Sequence, residues 1–126
     1  MRTPLLGLLL LGATFAVVAS GALSAGCGDE LDDRPATAEY IVAAILAPSC
    51  GNAACHSSAA KKEGYAFDTL EEAKKAFAQL VLPGDVQRSR LAQVLRATDD
   101  KRMPLDGPIP EADIALIEAW ILGGAQ

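Results

Sequence analysis

The sequence predicts an all-α domain of about four short helices, and three observations carry that expectation. Apolar residues recur at steps of three and four, helix-start and helix-stop residues punctuate those runs, and no alternating strand pattern occurs. Tyr40, Ile41, Val42, Ile45 and Leu46 predict a first helix that is apolar almost all round, hence buried, with Pro48 ending it. A polar, small-residue stretch follows as far as Gly64. Asp68 and Glu71 form a capping-box-like start for a second helix, whose inner face is Leu70, Ala73, Phe77 and Leu80. Lys74 and Lys75 fall on its solvated side, and Pro83-Gly84 is a turn.

Ser89 is placed to cap a third helix carrying Leu91, Val94 and Leu95, and Thr98 to Pro108 reads as a loop rich in Asp, Pro and Gly. Pro110 suits the first position of a last helix, with Glu111 and Asp113 near its positive end. Ile114, Ile117, Trp120 and Ile121 are its apolar side, and Gly123-Gly124 stops it.

The chain ahead of these helices has another character. Arg2 is a short positive start, Leu5 to Val18 is uninterruptedly apolar or small, and Gly21 to Gly26 is a small-residue exit, so residues 1–26 read as a secretory signal peptide. Ser24-Ala25-Gly26-Cys27 resembles a lipoprotein box, with cleavage before Cys27 and lipid on its sulfur; Leu23 stands four before the cysteine instead of the usual three. Cleavage elsewhere to a soluble exported protein, or an uncleaved helical anchor, are the competing readings. Residues 27–37 then form a lipidated acidic tether, and residues 38–126 form the domain. The expected location is the periplasmic side of a bacterial membrane, held there by the lipid.

Once the signal is removed, ten bases face sixteen acids. That balance argues against nucleic acid and anionic lipid surfaces, and it fits a basic protein partner. The mature domain has only five aromatics, Tyr40, Tyr65, Phe67, Phe77 and Trp120, so a large flat apolar cofactor would help to complete its core.

With Cys27 assigned to the signal, Cys50 and Cys55 remain as an isolated pair in an oxidising compartment. Such a pair becomes a disulfide or serves a cofactor. Cys50-Gly51-Asn52-Ala53-Ala54-Cys55-His56 favours the cofactor, because c-type haem attachment uses two cysteines followed directly by a histidine. The thiols join the haem vinyl groups and the adjacent imidazole reaches the iron. Here the spacer is four residues where two are usual, so the first cysteine needs a bulged loop, which Gly51, Asn52, Ala53 and Ala54 are small enough to form. His56 is the only histidine, and Met103 is the only methionine left after the signal, which makes Met103 the candidate second axial ligand.

At this point the chain resembles a class I cytochrome c domain of the short type found in planctomycete and myxobacterial exported proteins. The resemblance runs from about Tyr40 to Ala125. It is carried by Ile45-Leu46 before Cys50, Cys55-His56, Pro83-Gly84-Asp85 with Ser89 and Leu91, Met103-Pro104, and the final helix with Ala119-Trp120-Ile121. Ser57 stands where a Gly is usual, and Leu105 where a second Pro is common. The resemblance implies one covalent haem c, thioethers from Cys50 and Cys55, and axial ligation by His56 and Met103. It also implies that the first and last helices cross, with Trp120 in that core.

The expected function is electron carriage by a monomer with a redox protein partner. Filled axial positions leave no site for substrate, so no enzymatic activity is expected. The competing reading is a haem-free structural or interaction lipoprotein with a Cys50–Cys55 disulfide. A metal site of Cys50, Cys55 and His56 lacks the fourth ligand that structural zinc takes.

Overall fold

A computed structural model describes residues 32–126, whose regular elements are all helices and turns, with no strand among the described residues. The expected signal peptide, the expected lipidation of Cys27 and the first residues of the expected tether lie outside the described residues. The order is α1 (Ala38–Ile41), a π-helical turn (Val42–Leu46), α2 (Ala47–Cys50), a 3-10 turn (Lys62–Gly64), α3 (Leu70–Leu80), α4 (Arg90–Arg96) and α5 (Glu111–Leu122). No described helix is long and apolar enough to cross a membrane.

The first three segments are continuous, so Pro48 does not end the helix. It sits at the second position of α2, directly after the widened turn, where the Ala47 N–H reaches back five residues to the Val42 carbonyl. A proline ring collides with the carbonyl four residues earlier and lacks an N–H of its own. The π turn lies where an unbroken α-helix would place that carbonyl, which reconciles the proline with continued helix. Thr37 caps the start, its Oγ accepting from the Tyr40 N–H at 3.3 Å.

Two other helix starts differ from the sequence pattern. Thr69, not Asp68, caps α3, its Oγ accepting from the Glu72 N–H at 3.3 Å. Asp68 is occupied elsewhere: its carboxylate accepts from the Ser58 N–H at 2.8 Å and from the Ser58 hydroxyl at 2.7 Å. Ser89 precedes α4 without a side-chain cap bond. Its hydroxyl is fully buried, donates to the Asp85 carbonyl at 2.7 Å and accepts from the Leu82 N–H at 2.9 Å. Ser89 therefore latches the Pro83-Gly84 turn to the head of α4. Pro110 is the residue just outside α5, one place earlier than the pattern suggests.

The core lies between α1 with its π turn, α3, α4 and α5. Ile41, Ile45 and Leu46 pack in it with Ala73 and Phe77 of α3, Leu91 and Leu95 of α4, and Ile114, Ile117, Trp120 and Ile121 of α5, all buried. Burying each large aliphatic side chain contributes about 1.5–3 kcal/mol. Aromatic rings form a run through this core. Phe77 packs on Trp120 with centroids 4.8 Å apart, Phe67 on Phe77 at 6.2 Å, and His56 lies edge-on to Phe67 at 5.5 Å. The core is thus joined by ring contacts to the one histidine. The segment ahead of α1 is also docked, since Arg34 donates to Asp113 in the first turn of α5.

Candidate functional site

α2 ends at Cys50, and the chain then turns sharply. Gly51 N–H closes the helix on the Leu46 and Ala47 carbonyls, each at 3.0 Å. A Cβ on Gly51 would stand 2.8 Å from the Ala47 carbonyl oxygen and 2.9 Å from the Asp68 backbone, so only glycine fits this approach. Asn52 folds the next residues back. Its side-chain oxygen accepts from the Ala54 N–H and its carbonyl from the Cys55 N–H, both at 3.1 Å. The His56 N–H then donates to the Cys50 carbonyl at 3.1 Å, closing a loop with one cysteine at each end.

Beyond His56 the chain is held as firmly. Lys61 and Lys62 donate their N–H groups to the Ser57 and Cys55 carbonyls at 2.8 and 3.1 Å, and Phe67 N–H donates to the His56 carbonyl at 2.7 Å. Lys61 (φ 41°) and Glu63 (φ 56°) occupy the left-handed region that favours glycine, which makes this return a strained turn.

The decisive contact is made by the imidazole. His56 Nδ1 lies 3.2 Å from the Tyr65 carbonyl oxygen. A carbonyl can only accept, so Nδ1 is the donor, which in a neutral imidazole leaves the Nε2 lone pair available. The same arrangement orients metal-binding histidines through their second nitrogen.

His56 borders a cavity of about 490 Å³ whose wall also includes Cys50, Cys55 and Met103. A second cavity of about 280 Å³ shares Cys50, His56, Glu63 and Met103 with the first, and continues over Tyr65, Phe67, Leu80, Leu91, Val94 and Leu95. The four residues singled out in the sequence are therefore gathered around one apolar space, although Met103 is 47 residues from His56. The Met103 loop is fixed by its N–H, which donates to the Val94 carbonyl at the end of α4 at 2.9 Å. Among the described residues no group of three or more His, Cys, Asp or Glu side chains is arranged to hold a metal ion.

Cys50 and Cys55 are free thiols, both half-buried. Burial pushes the Cys50 thiol up to about 11, assisted by the neighbouring Cys55 and by the Asp106 carboxylate at the cavity wall. Charges at the walls are Lys62 and Asp106 in the first cavity, Arg90 in the second, and Glu63 in both. Among the described residues Lys62, Arg90, Lys101 and Arg102 make no ion pair, and of these Lys62 and Arg90 line the cavities. Arg102 Nε, one residue before Met103, is a buried donor without an acceptor.

This donor set fits a haem. Two thiols, an imidazole lone pair and a thioether border a largely apolar space, and unpaired bases stand at its walls for an anionic edge. Sequence reasoning missed Tyr65, Glu63 and Arg90. Tyr65 acts through its main-chain carbonyl, which no residue type announces, and the others join the site only through the turn at 61–64 and the pitch of α4.

No curated protein and no solved structure matches the chain. Residues 53–107 match the family model described as Planctomycete cytochrome C, a span that takes in Cys55, His56 and Met103 and begins after Cys50. That similarity supports a cytochrome c-type domain in this chain, and a domain of that kind implies covalently bound haem.

Proposed function

We propose that the domain carries one covalent haem and works as an electron carrier. The observation that supports this most is His56, whose Nδ1 is held on the Tyr65 carbonyl and which borders the cavity together with Met103 and both cysteines. Bound haem supplies a one-electron iron couple. The chain's own residues do the rest. Cys50 and Cys55 would hold the haem through thioethers, His56 and Met103 would ligate its iron, and Lys62 and Arg90 are the bases available to its carboxylates.

Ligation by histidine and methionine raises the potential and leaves no coordination position for a substrate. The reading is accordingly electron transfer without catalysis by this domain. The acidic balance of the chain favours a basic redox partner. Export and lipid attachment through Cys27 place the carrier on the outer side of a bacterial membrane, and a monomer suffices for the role.

The test is production in a host with c-type haem maturation. The purified protein should be coloured, keep its haem on a denaturing gel, and give a peroxidase stain that Cys55→Ala abolishes. A colourless protein whose mass corresponds to a Cys50–Cys55 disulfide would decide for a haem-free structural role.

A further inference from the structure

The four residues between the cysteines form a folded element, and from its geometry we infer that Gly51 and Asn52 are positioning residues that set the two thiols for double attachment. The inference rests on the haem reading above and concerns how this chain meets that group with a spacer twice the usual length. A longer spacer has a simple cost: a flexible loop lets Cys50 wander relative to Cys55-His56, so one thioether can form without the other.

Three contacts remove that freedom here. Gly51 seats the end of α2 against the Asp68 backbone, with no room for a Cβ. Asp68 in turn holds Ser58 through its carboxylate, so the residues on both sides of Cys55-His56 are tied to one point. Asn52 then takes up the two additional residues in a tight turn, its side chain accepting from Ala54 and its carbonyl from Cys55. The bond from the His56 N–H to the Cys50 carbonyl closes the loop, fixing the first cysteine relative to the histidine despite the longer path. Ala53 and Ala54 are exposed and serve as passive length.

The chemistry that depends on this placement is redox-neutral. Each thiol adds across a vinyl double bond: the S–H bond breaks, a C–S bond forms to the inner vinyl carbon, and the hydrogen ends on the outer carbon. Both additions require each sulfur to meet its own vinyl group while His56 keeps its orientation on the Tyr65 carbonyl.

The experiment compares wild type, Gly51→Ala, Asn52→Ala and Asn52→Asp, all produced with haem maturation. Mass spectrometry after alkylation counts free thiols on the haem-bearing chain. The reduced visible α-band reports unsaturated vinyl groups, because each remaining vinyl shifts it to the red. Wild type should be doubly attached. Asn52→Ala should raise the ratio of single to double attachment by about fivefold, the effect of one neutral hydrogen bond, with Cys50 as the alkylated thiol. Gly51→Ala should raise it further, and Asn52→Asp, which keeps the acceptor oxygen, should behave as wild type. Far-UV circular dichroism guards against general misfolding, and Asn52→Ala, at an exposed position, should retain its helix content. Asn52→Ala and Gly51→Ala that are both as fully doubly attached as a loaded wild type would overturn this inference and leave the haem reading standing. A wild type without haem would overturn both.

Discussion

At the scale of single residues, Cys50 and His56 show how burial and a main-chain contact prepare a side chain. The Cys50 thiol is raised to about 11 by desolvation first and neighbouring negative charge second. Thiolate, not thiol, is the nucleophile towards alkylating agents. In protein purified without haem, the alkylation rate of Cys50 should therefore climb about tenfold per pH unit through pH 9 and 10, where an ordinary thiol of pKa about 8.5 has levelled off. A plateau near pH 9 would show that the thiol is solvated. Met103 gives the second residue-level expectation. With haem attached, Met103→Ala should keep the covalent link, lower the midpoint potential, and open the iron to carbon monoxide or imidazole. Oxidised wild type should show a far-red sulfur-to-iron charge-transfer band that the variant lacks; a wild type without the band would remove Met103 from the ligand set.

Elements show where the sequence could and could not be read. The helical faces of α3, α4 and α5 were legible because periodicity survives any detail of packing: Phe77, Leu91, Leu95, Ile117 and Trp120 are all buried as their spacing implies. Cys55-His56 was legible because covalent neighbours cannot be separated by folding. Helix ends were less so, since each turned on competition between contacts. Asp68 could have capped α3, but Ser58 offers it two donors, and Thr69 takes the cap instead. Pro48 breaks an ordinary helix, yet the π turn before it removes the conflict, and no local pattern signals a π turn. Ser89 offered a cap and became a buried latch between Leu82 and Asp85. Ser89→Ala should strand the Leu82 N–H in a dry site. The expected loss is roughly 1–3 kcal/mol, which at about 4–8 °C per kcal/mol is a clear fall in Tm. A change of under 1 °C would mean that water reaches the latch.

The whole molecule keeps its cofactor cavity to one side of an aliphatic core. The scarcity of aromatics had suggested that a flat cofactor would supply the missing interior. Ile41, Ile45, Leu46, Ile117 and Ile121 are its most buried centre, and the cavity lies against Phe67, Leu91 and Leu95 of the same core, where a flat cofactor would extend it. Charge acts at the same scale. An acidic surface and a basic partner attract through solvent, and ions screen that attraction over about 8 Å at physiological strength. The bimolecular electron-transfer rate with a basic redox protein should fall as salt rises, and a salt-independent rate would point to an apolar contact. The proposed attachment to the membrane is tested separately: a fatty-acid probe should label wild type and not Cys27→Ala, and equal labelling of both would remove the lipid anchor.

The run of rings from His56 through Phe67 and Phe77 to Trp120 has an optical consequence. Trp120 is the sole indole in the chain, buried and three ring contacts from the histidine. A haem held at His56 absorbs where an indole emits, and energy passes between them over such short separations without light being released. The loaded native protein should be nearly dark when excited at its tryptophan. Denaturant carries the indole away from the porphyrin and should switch the emission on, so the molecule contains its own gauge of assembly, readable without any added dye.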